Sequence, residues 1–183
     1  MIYREQRRLT VRAPPLDDHN GWADFWRYRI GVNVIPADTK NKRPWILWSE
    51  YQQKPITEEI HRKWKSENSF SLGMAVITGR AWHRKDREGY YLTVIDTDNH
   101  SAVVEFCTRN GRTISLSEFA TKTLVEQHKD DPNKAHFYLY SPRPLAKKSS
   151  DLNLSPTGIS GIPAVEVKGD GEHGIIFCTP SPH

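Results

Sequence analysis

Cysteine is the scarcest chemistry in this chain: 183 residues contain two, Cys107 and Cys178, far apart and with no Cys-X-X-Cys pair. That excludes a zinc knuckle of the usual spacing and a disulfide framework. Both thiols stand in apolar settings and read as small buried hydrophobes in a reducing compartment. Long apolar runs are also missing, and none approaches the ~18 residues that a membrane-spanning helix needs. The first twelve residues are charged from Arg4 onward and contain no apolar stretch of the signal-peptide kind. Internal repeats are absent too. These absences point to a cytoplasmic protein with no membrane partner.

Large rings are plentiful: six Trp, seven Tyr and six Phe, within 37% hydrophobic residues. A chain so supplied can bury enough apolar area to fold, which excludes wholesale disorder. Its length suits one domain with a core of its own, or two small lobes sharing a cleft. Lysine and arginine outnumber the acids 26 to 22, for a net charge of +4 and a pI of about 9.1. The excess fits an anionic partner without requiring one.

Residues 1–18 read as a basic arm ending at Pro14-Pro15. Arg4, Arg7, Arg8 and Arg12 are positioned either to touch a phosphate backbone or simply to be solvated. Trp22, Phe25, Trp26 and Ile30 then recur at helical spacing, with Asp17, Asp18 or Asn20 to cap the start and Gly31 to end it. The run Val32 to Ile35 predicts a strand stopped by Pro36, and Lys40 to Pro44 a basic loop. Trp45 to Trp48 predicts a second extended piece. Thr57 is placed to cap a helix running to Ser66, with Glu58 and Glu59 at its positive end and Ile60 and Trp64 inward.

Strands dominate from Leu72 onward. They are predicted at Gly73 to Ile77, Tyr90 to Ile95, and in a hairpin joining Thr123 to Gln127 with Ala135 to Tyr140. Two more follow at Ala164 to Lys168 and Ile175 to Cys178. Short helices are expected over Ser101 to Arg109 and after Ser115, where Glu118 completes a capping box. Residues 143–162 read as a loop. Mixed elements with hairpins in the second half indicate an α+β fold rather than a doubly wound parallel sheet.

The sharpest chemical feature is Ile95-Asp96-Thr97-Asp98-Asn99 at the end of an apolar strand. Residues two apart on a strand share a face, so Asp96 and Asp98 project together. Two close carboxylates repel unless a cation lies between them, and Mg²⁺ or Mn²⁺ is the natural one. The other reading is a polar strand end in which Asp98 or Asn99 caps a helix. Glu166, between Val165 and Val167, offers a third acid on a neighbouring strand, sharing its face with Lys168. His136 opens an apolar strand and shares a face with Tyr138 and Tyr140, either as a structural ring or as a donor to a triphosphate oxygen.

In this order the features resemble the archaeo-eukaryotic primase superfamily, and the flanks narrow the resemblance to its bifunctional primase–polymerase (prim-pol) domain. The flanking matches are Tyr28-Arg29-Ile30-Gly31 to Val34-Ile35-Pro36, Lys42-Arg43-Pro44 to Trp48, Ile77-Thr78-Gly79, and Pro180-Ser181-Pro182-His183. They span roughly residues 22–183. Each motif is short, and their joint order is what makes the resemblance specific.

The resemblance implies an RRM-like catalytic unit joined to an N-terminal α/β unit, with the active site in the groove between them. Residues 19–183 would form that catalytic domain, as lobes of about 19–70 and 71–183. Asp96, Asp98 and Glu166 match the family's metal ligands, for two Mg²⁺ or Mn²⁺ ions, and His136 matches its nucleotide-binding histidine. Two positions before that histidine the family prefers a small residue after a glycine-rich hairpin, whereas this chain has Lys134 after Asp131-Pro132-Asn133. Lys134 and Lys168 are candidates for nucleotide phosphate, and Lys42 and Arg43 for the nucleic acid, a solvated surface role being open for all four.

The implied partners are a single-stranded DNA template, a primer, nucleoside triphosphates, and a helicase or helical accessory region in a longer chain. The ending at Ser181-Pro182-His183, close to where the resemblance ends, leads us to expect a piece of a longer replication protein, with a standalone domain as the alternative. Two other functions use the same residues: a metal-dependent nuclease, and a nucleic-acid-binding module whose site has lost catalysis.

Overall fold

The computed structural model describes residues 12–98, 123–128, 131, 134–145, 148–149, 165–169 and 174–180. The two helices expected over Ser101 to Arg109 and after Ser115 lie outside them, as do Cys107 and most of the arm.

Helix α1, His19–Asp24, starts at Asp18, whose carboxylate accepts the Gly21 N–H at 2.8 Å. A side chain at position 21 would meet that carboxylate at 2.2 Å, so a larger residue there would have to shift the cap. The expected helix to residue 30 forms, but its second half, Phe25–Ile30, widens to π geometry. Gly31 closes it with φ 88°, its N–H bonded to Trp26 O at 2.9 Å. Arg84 packs where a Gly31 side chain would stand, so steric room as well as backbone conformation selects glycine.

Strand β1, Val34–Asp38, is followed by β2, Arg43–Pro44, and by a 3₁₀ turn over Ser49–Gln52. Pro36 does not stop β1. Its carbonyl accepts the Trp45 N–H at 3.1 Å, so its missing N–H falls on the β2 side, where the partner strand is two residues long. The next N–H, of Ala37, still reaches Gly73 O. Trp45 to Trp48 is not a strand, because pairing with β1 ends at Pro44. Helix α2, Glu58–Ser66, forms as expected, with the Thr57 hydroxyl accepting the Ile60 N–H at 3.2 Å.

The remaining strands are β3 (Met74–Ile77), β4 (Gly79–Arg80), β5 (Tyr91–Thr97), β6 (Leu124–Gln127), β7 (Ala135–Ser141), β8 (Lys148–Ser149), β9 (Val165–Lys168) and β10 (Ile175–Cys178). Strand β8 corrects the reading of residues 143–162 as loop throughout: it pairs Lys148 with Val167 and Ser149 with Glu166. A two-residue edge strand leaves too little periodicity to be legible in sequence.

Pairing among these strands is antiparallel and builds two sheets. The first has the order β10-β3-β1-β2 and the second β6-β7-β5-β9-β8, with β4 also on β5. The fold is therefore mixed α and β with antiparallel sheets, consistent with α+β. The first sheet draws β3 and β10, both beyond residue 70, to the side of β1.

Both faces of the first sheet are covered, which explains its nearly unbroken apolar runs. Ile35, Ala37, Ala75 and Ile77 face a cluster with Tyr51 and Ile56, bordered by Ile60 and Trp64 of α2. Val34, Met74, Val76, Ile176 and Cys178 face the other way. There they meet Trp22, Phe25 and Trp26 together with Leu92, Val94 and Tyr138 of the second sheet. Trp26 is 1% exposed, packs tilted against Tyr138 with ring centres 4.9 Å apart, and donates its indole N–H to Thr179 O at 2.9 Å. This core joins the two sheets, and the candidate site lies on the same face of β5.

Candidate active site

Strand register assembles the site. Asp96 on β5 stands directly opposite His136 on β7 and Glu166 on β9, and His136 stands opposite Glu126 on β6. Directly opposed residues of antiparallel strands share a face. Glu126, His136, Asp96 and Glu166 thus form one polar row across four strands. Two and four residues before Asp96, Val94 and Leu92 lie on that same face inside the apolar core. The row is the polar continuation of the surface that joins the sheets.

His136 is nearly buried between two carboxylates. Its Nε2 lies 3.5 Å from Asp96 Oδ1 and its Nδ1 lies 3.2 Å from Glu126 Oε2. Burial disfavours its charged form, but the two carboxylates outweigh burial and raise its pKa to about 9. Both ring nitrogens are then donors near neutral pH. Burial acts on Asp96 in the opposite sense, raising its pKa. The hydrogen bond and charge of His136, with Lys168 behind them, overcome that and hold the carboxyl at about 2.

Glu126 is the member of the row that sequence reading missed. One of its oxygens accepts from His136 and from the Tyr138 hydroxyl, the other from the backbone N–H and hydroxyl of Thr179. Burial pushes its pKa up, and these donors, His136 first, bring it below the ordinary glutamate value. The signal lay in the hairpin: numbering β6 against β7 about residue 131 puts 126 opposite 136. Thr179 carried no such signal, because it arrives from the first sheet after β10.

Lysines answer the other acids. Lys168 Nζ lies 3.2 Å from Asp96 Oδ2 and 3.3 Å from Glu166 Oε2, bridging the pair. Asp98 lies one residue past the end of β5, and its Oδ1 is 3.2 Å from Lys134 Nζ. Two carboxylates converging on one ammonium form an all-oxygen set that suits a hard cation. Asp96 and Glu166 therefore fit a divalent ion, while Asp98 is turned to its own lysine. Among the described residues, no group of three His, Cys, Asp or Glu side chains is placed to hold a metal.

Lys42 and Arg43 lie elsewhere. Lys42, with φ 50°, ends the turn before β2, and Arg43 opens β2 at the edge of the first sheet opposite β10. Three strand spacings, about 14 Å, separate that edge from β10, whose following residue touches Glu126.

Fold and row together define an α+β protein that gathers carboxylates, a charged imidazole and lysine ammonium groups on one antiparallel sheet. The chain belongs to the bifunctional DNA primase/polymerase, N-terminal family, which matches residues 26–183. That membership implies a primase/polymerase function of the nucleotidyltransferase type. No curated protein matches the chain closely enough to count as a relative. Among the described residues, no helix is long and apolar enough to cross a membrane.

Proposed function

We propose that this domain extends a primer on a single-stranded DNA template by nucleotidyl transfer. The observation that carries the proposal is the juxtaposition of His136, Asp96 and Glu166 at matched positions of three adjacent strands. The 3′-hydroxyl gives up its proton to water as its oxygen bonds to the α-phosphorus of a nucleoside triphosphate, the bond from that phosphorus to the bridging oxygen breaks, and pyrophosphate leaves.

Asp96 and Glu166, joined by Asp98, are the acids that would hold two Mg²⁺ or Mn²⁺ ions. Such ions supply a lowered hydroxyl pKa and charge stabilisation of the leaving group. The chain's own part is positioning and neutralisation. His136, charged and clamped by Glu126, donates to a triphosphate oxygen. Lys134 and Lys168, which neutralise the acids in the protein alone, are the cations on hand for the remaining phosphate charge. Lys42 and Arg43 lie far enough from the row to meet phosphates of a longer strand rather than the nucleotide.

Gel-resolved primer extension with Mg²⁺ or Mn²⁺, comparing the parent with Asp96→Ala and Asp98→Ala, tests this reading. Loss of a metal-binding carboxylate removes several kcal/mol of transition-state stabilisation, so extension by Asp96→Ala should be nearly absent. An Asp96→Ala rate within about tenfold of the parent's would overturn the assignment, tenfold being only ~1.4 kcal/mol. One observation favours a second reading, a binding module without catalysis: lysines already satisfy all three acids. Nucleic-acid binding that is indifferent to divalent metal, with no product formed, would select it. Shortening of the primer would select a nuclease.

A further inference from the structure

The opposite end of β5 carries a basic cleft of about 500 Å³ that the catalytic reading does not use. Its lining includes Arg80, Trp82, His83, Arg84, Lys85 and Glu88. The Arg80 guanidinium lies 5.0 Å from the centre of the Trp82 ring, and Arg87 nearby lies 4.8 Å from that of Tyr140. Arg84 is committed to the fold: it bonds Asp86 at 2.8 Å and also the Arg29 carbonyl. Arg80 and Lys85 are different. Both are exposed, and neither has an ion pair among the described residues.

A further cation lies behind the wall. Asn33 donates through Nδ2 to Tyr51 O and Lys54 O and accepts the Ile56 N–H on Oδ1, so its amide orientation is set. His83 Nε2, 2.8 Å from that Oδ1, must therefore carry the proton. Arg27 Nη1 is 3.3 Å from the same nitrogen and cannot donate to it. Arg27 is 4% exposed, and its Nε has no hydrogen-bond partner among the described residues. The nearest opposite charge on that nitrogen, Glu58 Oε2, is 3.6 Å away. The cleft thus has two exposed cations without an ion pair among the described residues, one of them lying over the Trp82 ring, and an incompletely answered guanidinium beneath one wall.

We propose that this cleft binds single-stranded nucleic acid, with a base stacked against Trp82 and the flanking phosphates on Arg80 and Lys85. The cleft is distinct from the catalytic row. Arg80 pairs with Tyr91, five residues and about 17 Å along β5 from Asp96. Tyr91 and Asp96 also point to opposite faces of the strand. Only the identification of the bound strand as the template rests on the polymerase reading above. Spread cations beside a half-buried ring, one face of which Arg80 covers, suit a polymer better than a mononucleotide, whose charge is concentrated at one end. A ring at the surface can stack only on a base that is not already paired.

The test is fluorescence anisotropy of labelled oligothymidylate on the whole chain across a salt series, comparing the parent with Arg80→Ala/Lys85→Ala, Trp82→Ala and Trp82→Phe. Removing both cations should weaken binding at least tenfold at low salt. It should also reduce the slope of log K against log salt by about 1.4, two phosphates at ~0.7 each on a single strand. Trp82→Ala should weaken binding about tenfold and leave the slope unchanged, and phenylalanine should restore it.

Because Arg80 and Lys85 are exposed, their double variant keeps its fold and decides the matter even if Trp82→Ala does not. Parental affinity and slope in that variant would overturn the proposal. So would a defect confined to ATP binding, which marks a mononucleotide pocket, or equal binding of duplex and single strand. Primer extension on the same samples separates the two readings. Arg80-dependent binding without extension by the parent sinks the polymerase and leaves the cleft, whereas extension with unaltered binding by the variants does the reverse.

Discussion

Glu126 fixes His136 from behind: its Oε2 is 3.2 Å from His136 Nδ1, and its other oxygen is held by Thr179. A strand of one sheet is thereby tied through a buried carboxylate to the chain leaving the other. The arrangement aims the remaining ring nitrogen, Nε2, at Asp96, 3.5 Å away.

His136 should titrate near pH 9 in the protein alone, followed by NMR of the imidazole. Its folded pKa exceeds the unfolded value of about 6.5, so the folded state binds the proton more tightly. The stability it contributes is complete below pH 6.5 and fades as pH rises through 9. Glu126→Gln should bring the pKa down and raise KM for the nucleotide more than it lowers kcat. An unchanged titration in that variant would show that Glu126 does not hold the charge.

Lys168→Ala leaves Asp96 and Glu166 facing one another across adjacent strands without their shared cation. Removing one member of such a half-buried set should destabilise the chain by a few kcal/mol in chelator. Millimolar Mg²⁺ should restore the variant's melting temperature more than it raises the parent's. An equal response of the two proteins would argue against a cation site between these acids.

Acid should weaken the fold through His83. Burial, with Arg27 close by, lowers its pKa to about 4. The unfolded chain therefore binds the proton first as pH falls, and stability declines between about 6.5 and 4. Partial exposure screens the effect, which should total about 1–2 kcal/mol. His61 is shifted in the same direction by burial and adds to the decline. Denaturant unfolding across that range should show a shallower pH dependence in His83→Gln.

Trp26→Ala should cost about 3–5 kcal/mol in the same assay, since a 1%-exposed indole that bridges helix, Tyr138 and Thr179 leaves a cavity behind. Thr57→Ala at the start of α2 should cost only about 1 kcal/mol. Equal losses for the two would contradict the packing described for the core.

Much of the fold was legible in local pattern. Short apolar, β-rich runs located β3, β5, β6, β7, β9 and β10, and the cap at Thr57 located α2, because strand propensity and capping act within a few residues. Pro36 and Trp45 to Trp48 misled because the outcome depended on which edge of β1 met β2. Position on the predicted strands, together with the resemblance to the prim-pol domain, nominated Asp96, Asp98, Glu166 and His136.

What the sequence by itself determined was the set of strand-forming runs and the acids and histidine carried at their ends. Only the tertiary structure decided which of those side chains meet: register set Asp96 between His136 and Glu166, and Lys168 between two carboxylates. It also brought Glu126 to His136, Thr179 to Glu126 across the two sheets, and Arg27 beneath the wall of a cleft it does not line. The physical reason is range. Backbone propensity is settled over a few neighbouring residues, whereas charge neutralisation and burial are settled between strands far apart in the chain, and only the packed core joining the sheets holds those strands in one register.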